Sequence, residues 1–154
     1  ATGAGISVAD EERDGVILPY YRELIRLRGQ YPVISEGSYA PYAFDHERVF
    51  GYLREHIVKG TRTRLLVLNN FFGDETAVRV PAEFMPGEVL DALTDGEGSR
   101  TPADARSARV LLCNYKNPLG RVSGVSGSGP HEVEVTLRPY ESLALIVEEP
   151  ITSS

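Results

Sequence analysis

Val133-Glu134-Val135-Thr136-Leu137 alternates apolar and polar side chains without a break, and that alternation decides the fold class. A period of two places Val133, Val135 and Leu137 on one face of a half-buried strand. Leu65-Leu66-Val67-Leu68 is apolar at every position instead, which predicts a central strand covered on both faces. Working outward, short runs rich in Val, Leu, Tyr and Phe are separated by clusters of Gly, Pro, Asp and Asn. They predict strands over 37–42, 49–56, 64–69, 76–80, 88–92, 110–113, 132–137 and 142–147. Eight short strands with no helical pattern between them predict a mainly β protein built as an antiparallel β-sandwich.

One stretch departs from this pattern. After Asp10-Glu11-Glu12-Arg13-Asp14, apolar side chains recur every three or four residues at Ile17, Tyr20 or Tyr21, Leu24 and Leu27, while Arg22, Glu23, Arg26 and Arg28 fall mainly on the other side. This predicts one N-terminal α-helix, capped by Asp14 and Gly29, with its arginines near the negative pole of the helix dipole. Pro19 cannot sit deep in a helix interior, so the regular part is expected from about residue 18 to Arg28. Two stretches read as loops. One is 91–109, with Asp95-Gly96-Glu97-Gly98 and Pro102; the other is the Gly- and Ser-rich 116–130, expected to be poorly ordered and to bury nothing.

The chain has 154 residues, too few for a (β/α)₈ barrel, which needs at least about 200. With 16 basic and 22 acidic residues it carries a net charge of −6, which argues against a nucleic-acid partner. No apolar run approaches the ~20 residues of a bilayer span, and Ala1-Thr2-Gly3-Ala4-Gly5-Ile6 lacks the basic start of a signal peptide, so a soluble chain is expected. The single cysteine, Cys113, ends the apolar run from Val110 and reads as a small buried thiol. A cytoplasmic location is the expectation.

Catalytic signatures fail on spacing. The serines around Ser126 miss the Gly-x-Ser-x-Gly elbow, and no glycine loop has phosphate-binding spacing. His46, His56 and His131 stand in separate segments, so no zinc site, other metal site or cofactor is expected. Asp91, Asp95 and Glu97 do not match a calcium loop. Asp45-His46-Glu47 could hold a general base, though a turn is the simpler reading. Arg54, His56, Lys59, Arg62 and Arg64 are expected at a solvated hairpin tip around Lys59-Gly60. Eight of the thirteen aromatics lie between Tyr20 and Tyr52. Such rings can stack on sugars, but without tryptophan the favoured role is packing the helix against the sandwich.

Val16-Ile17-Leu18-Pro19-Tyr20-Tyr21-Arg22-Glu23-Leu24-Ile25-Arg26-Leu27-Arg28, followed by Tyr31-Pro32-Val33-Ile34 and Gly37-Ser38-Tyr39, resembles the last barrel helix and linker of glycoside hydrolase family 13 α-glucosidases. Val49-Phe50-Gly51-Tyr52-Leu53-Arg54, Leu65 through Asn69-Asn70-Phe71, Val110 through Cys113-Asn114-Tyr115 and Leu137-Arg138-Pro139-Tyr140-Glu141 follow in the order of that family's C-terminal β-sandwich. The oligo-1,6-glucosidase and dextran glucosidase type is the nearest in pattern; Phe72, Ser142 and the long 116–130 loop depart from it. The resemblance implies that residues 1–30 are the final barrel helix and linker, 31–150 the sandwich domain and 151–154 a tail. It further implies a partner, the N-terminal catalytic barrel of the same protein, and an exposed barrel-facing surface through which a fragment could dimerise. The family's catalytic carboxylates lie upstream, so no catalytic residue is expected here. Tyr20, Tyr21, Tyr31 and Tyr39 are the expected domain-packing aromatics. The rival readings are a free-standing carbohydrate-binding or adhesive sandwich and a small hydrolase built on Asp45-His46-Glu47.

Overall fold

The computed structural model describes residues 19–42, 46–93, 106–124 and 131–151. Its first helix, α1, covers residues 19–26 and tightens into a 3-10 turn at Leu27–Gly29, where the Gln30 and Tyr31 amides both return to the Leu27 carbonyl. Asp14 and Ile17 lie outside the described residues. A second 3-10 turn, Pro32–Ile34, follows.

The strands are β1 (Ser38–Tyr42), β2 (Val49–Val58), β3 (Thr61–Asn70), β4 (Thr76–Pro81), β5 (Ser107–Cys113), β6 (Val122–Gly124), β7 (Glu132–Leu137) and β8 (Ser142–Pro150). They form two antiparallel sheets, ordered β1-β2-β3-β8-β5 and β4-β7-β6. The alternating run of β7 buries every second residue, as a half-covered strand must. The all-apolar run of β3 is buried on both faces, beside β8. The β2–β3 hairpin closes through Lys59-Gly60, both at positive φ (51° and 78°), the two-residue turn whose twist matches antiparallel strands.

Two apolar layers result. Leu66, Leu68, Val78, Val80, Phe84, Val133, Val135, Leu137, Leu143 and Leu145 fill the space between the sheets. On the outer face of the large sheet, Tyr20 and Leu24 of α1 and Val33 pack over Leu65, Val67, Ala144 and Ile146. The order is therefore helix, five-stranded sheet, three-stranded sheet.

Three expectations are corrected. Residues 88–92 form no strand but lie in a helix, α2 (Gly87–Leu93). The Pro86 carbonyl accepts the Val89 and Leu90 amides, and Val89, Leu90 and Leu93 share one helical face against the core. Over five residues the helical and strand periods are hard to separate, and Pro86 favours the helix start. The 116–130 stretch is not empty of structure, because β6 pairs with β7 and Leu119 and Val122 pack on the core; residues 125–130 lie outside the described residues. The cationic run is no solvated tip. Strands β2 and β3 extend past it, so Arg62 pairs with Glu149, Arg64 with Glu83 at 2.8 Å, and Arg54 donates to the Val33 carbonyl at 3.0 Å. Only Lys59 and Gly60 form the turn itself.

Candidate functional site

Three of the segments quoted above, distant in sequence, meet in one place. The turn between β7 and β8 holds Arg138-Pro139-Tyr140-Glu141, with Tyr140 at φ 57°. Glu141 is only 2% exposed. Its carboxylate accepts from the Arg138 amide (2.8 Å), Nε (3.0 Å) and Nη2 (2.9 Å), and from the Cys113 thiol (3.2 Å). Arg138 in turn stacks on Tyr115, 4.2 Å from guanidinium carbon to ring centre, and donates to the carbonyls of Lys116 and Asn117. Asn70 donates to the Arg138 and Asp74 carbonyls, Asn114 bridges the Tyr140 carbonyl and the Ser142 amide, and the Tyr115 hydroxyl reaches the Pro139 carbonyl. Side-chain amides thus satisfy the backbone of a turn that cannot join either sheet ladder.

Burial, reinforced by the adjoining Glu141 carboxylate, pushes the Cys113 thiol up to about 12. The reactive form is the thiolate, so raising the value from 9.0 to about 12 depletes it about thousandfold at pH 8. Alkylation by iodoacetamide at pH 8 is therefore expected to be about 10³ slower in the native protein than in urea; comparable rates would contradict this placement. A thiol held neutral in the fold contributes stability below its unfolded value near 9, and that contribution is lost as pH rises from there toward 12.

The charged groups of this constellation bond to one another and to the backbone. Retaining glycoside hydrolysis needs two carboxyl groups about 5–5.5 Å apart across a cleft. Among the described residues, Glu141 serves Arg138, Glu149 serves Arg62 and Arg64, and Glu83 serves Arg64. Hydrogen bonding and charge from Arg64 hold the Glu83 carboxyl below its usual range. His46 is likewise committed. Its Nδ1 accepts the Arg48 amide at 3.1 Å, which leaves Nε2 as the donor to the Ala77 carbonyl at 3.0 Å. The ring braces the entry to β2 and has no free nitrogen for a base; Asp45 lies outside the described residues. His46 and Glu132 line a groove of about 530 Å³, in which Glu132 pairs with Arg79 at 4.0 Å. No group of three metal-ligating side chains occurs among the described residues, and no described helix is long and apolar enough to cross a membrane.

The aromatics divide between two places. Tyr20 is 3% exposed beneath α1, in edge-to-face contact with Tyr21 at 5.5 Å, and burial holds its hydroxyl well above the ordinary value. Tyr21 and Tyr31 flank that same layer, and Arg109 lies over the Tyr31 ring at 5.6 Å. Tyr39 stands apart on β1 and is 53% exposed. It begins a row along the uncovered flank of the large sheet: Tyr39 to Tyr52 at 5.4 Å, Tyr52 to Phe50 at 6.3 Å, Phe50 to Phe71 at 6.3 Å. Phe50 and Phe71 join this row although neither is among the expected packing aromatics. The available signal was Val49-Phe50-Gly51-Tyr52-Leu53, apolar on both faces in a strand whose outer face the described residues cover only in part.

Curated proteins align with nearly all of the chain. Trehalose-6-phosphate hydrolase of Bacillus subtilis (strain 168) is 31% identical over 131 residues, 85% of this chain and 18% of that protein. Palatinase of Erwinia rhapontici is 28% identical over 143 residues, 93% of this chain and 20% of that protein. Probable oligo-1,6-glucosidase 2 of B. subtilis (strain 168) is 26% identical over 148 residues, 96% and 20% respectively. The chain is homologous to one region of the family 13 glucosidases. The chain spans about a fifth of the length of the relatives it matches. No protein-family model matches it. The fold is shared with Bacillus licheniformis trehalose-6-phosphate hydrolase, with TM-score 0.53 and 23% identity over 86% of this chain and 18% of that one. Isomaltulose synthase of E. rhapontici NX5 superposes with TM-score 0.50 and 19% identity over 85% and 18%.

Proposed function

We propose that this family 13 region is the non-catalytic C-terminal domain of an α-glucosidase, with residues 1–30 the final helix and linker of the catalytic barrel and 31–150 the sandwich. The observation that carries the reading is α1. It belongs to neither sheet, buries Tyr20 and Leu24 on the outer face of the large one, and leaves Ile25, one position further round, 54% exposed. A helix shared between two domains would keep an apolar side chain beside the stripe it buries. The domain's work is then mechanical: it holds α1 in place and covers the outside of the barrel. The whole enzyme hydrolyses α-1,6-glucosidic bonds of oligosaccharides with retention. It acts in the cytoplasm, where a single reduced thiol is at home.

Incubating the 154-residue chain with a chromogenic α-glucoside tests this. No release is expected; turnover that vanishes in His46→Ala would replace the reading by a small hydrolase. The exposed aromatic row favours one second reading, a carbohydrate-binding module. Calorimetric titration with isomaltose or maltose is expected to give no heat, and millimolar or tighter affinity would favour that module.

A further inference from the structure

We propose that one ordered water molecule binds between α1 and the large sheet, held by the Tyr20 hydroxyl, the Asn69 side-chain carbonyl and the Ser142 hydroxyl. Tyr20 Oη, Asn69 Oδ1 and Ser142 Oγ are all buried and none has a hydrogen-bond partner in the protein. Asn69 and Ser142 are fully enclosed, and Tyr20 is nearly so. Asn69 and Ser142 stand opposite each other in the β3–β8 ladder. Strand alternation puts Asn69 on the face of Leu65 and Val67, and Ser142 on the face of Ala144 and Ile146, the layer that Tyr20 and Leu24 cover. Burial raises the Tyr20 hydroxyl, and Tyr52, Tyr21 and Cys113 are close enough to oppose its ionisation further. Cys113 pairs with Leu143, next to Ser142, so the Tyr20 hydroxyl lies at the Asn69–Ser142 end of the sheet. Buried oxygens left unmet cost free energy, and internal water is the usual way such groups are satisfied.

The donor and acceptor pattern selects water. Asn69 Nδ2 donates to the Phe50 carbonyl at 3.2 Å, and a hydrogen bond from the same side chain opposes the rise that burial imposes on the Tyr21 hydroxyl. With both amide hydrogens engaged, Oδ1 faces the layer as an acceptor alone. Each of the two hydroxyls can donate or accept. A water molecule can therefore donate to Oδ1 and to one hydroxyl and accept from the other, the three bonds typical of a buried water. Ser142 and Ala144 are small side chains opposite Asn69 and Val67, which thins the layer where the molecule would sit. The side chains around it are apolar or aromatic, so a neutral ligand fits and an ion does not. Full burial of Asn69 and Ser142 shuts out a sugar or a side chain from another body. The bound water ties α1 to β3 and β8 by directional bonds, where the remaining contact is apolar and sets no register. The site stands whether or not α1 belongs to a barrel.

Tyr20→Phe and Ser142→Ala test this, since each deletes one oxygen and leaves the packing shape unchanged. Each is expected to lower the melting temperature of the 154-residue chain by about 2–4 °C, the effect of one lost hydrogen bond in a protein of this size. The double variant should fall by less than the sum, because both hydroxyls share one molecule. A hydroxyl that bonds nothing behaves in the opposite way, and its removal from an apolar layer raises the melting temperature. A rise in either variant, or full additivity of the two losses, overturns the water site. Crystallography of the same chain gives a second readout. The expected result is a density peak within about 3.2 Å of Tyr20 Oη, Asn69 Oδ1 and Ser142 Oγ that disappears in the double variant. Direct bonds among these three side chains with no such peak also overturn the proposal.

Discussion

Glu141→Ala is expected to lower the unfolding free energy by about 3 kcal/mol or more, the toll of leaving a buried charge without its partner, for which the usual range is about 3–5 kcal/mol. Glu141 is almost wholly enclosed, and its carboxylate receives four donors, three from Arg138 and one from Cys113. Arg138 is 27% exposed at its side chain, which lets water recover part of the loss and places the expectation at the low end of the range. Glu141→Gln keeps the shape but removes the charge, and most of the loss should remain. Replacing both partners, Arg138→Met with Glu141→Leu, should restore much of it, because well-packed apolar residues often match a buried ion pair. Urea unfolding read by circular dichroism measures all three. A loss below about 1 kcal/mol for Glu141→Ala would place the pair among exposed bridges, which stabilise little.

The second large effect is at Gly37. Its φ of +94° is a conformation that L side chains rarely adopt, and a Cβ built there would lie 2.0 Å from the Glu55 carbonyl oxygen and 2.8 Å from its carbon. Neither atom can retreat freely, since Ser38 pairs with Glu55 in the β1–β2 ladder. Gly37→Ala therefore combines about 1–2 kcal/mol of backbone strain with about 1–3 kcal/mol of overpacking. The expected result is a loss of about 3 kcal/mol and faster amide exchange confined to β1 and its pairing with β2. Gly60→Ala is the control. Its φ is +78°, but nothing lies within 4 Å of the added Cβ, so only the strain of about 1 kcal/mol should appear. Equal losses in the two variants would mean that the Glu55 backbone yields.

The strands were legible where a strict pattern ran for several residues. The alternation of Val133 to Leu137 and the apolar block at Leu65 to Leu68 placed β7 at the half-covered and β3 at the fully covered position that the structure shows. Five residues around Glu88 were too few to separate the two periods. Residues 122–124 were hidden because a glycine- and serine-rich segment takes its strand from a neighbour, Val133 to Val135, rather than from its own side chains. Arg62 and Arg64 read as solvated charges because their partners, Glu83 and Glu149, are brought near only by the sheet.

The candidate site divides in the same way. The sequence by itself determined that the chain is a mainly β domain with one amphipathic helix, that Cys113 stands alone, and which family its ordered segments resemble. These depend on local period, composition and order along the chain, which need no partner to be read. Only the tertiary structure decided that Asn70, Asn114, Tyr115, Arg138 and Glu141 form one knot, that His46 is spent on backbone groups, and that Tyr39, Phe50, Tyr52 and Phe71 form a row left open beside α1. Each of those facts depends on strand register and on which face a neighbouring element covers. Both are set by contacts between segments far apart in the chain, and no window along the sequence contains them.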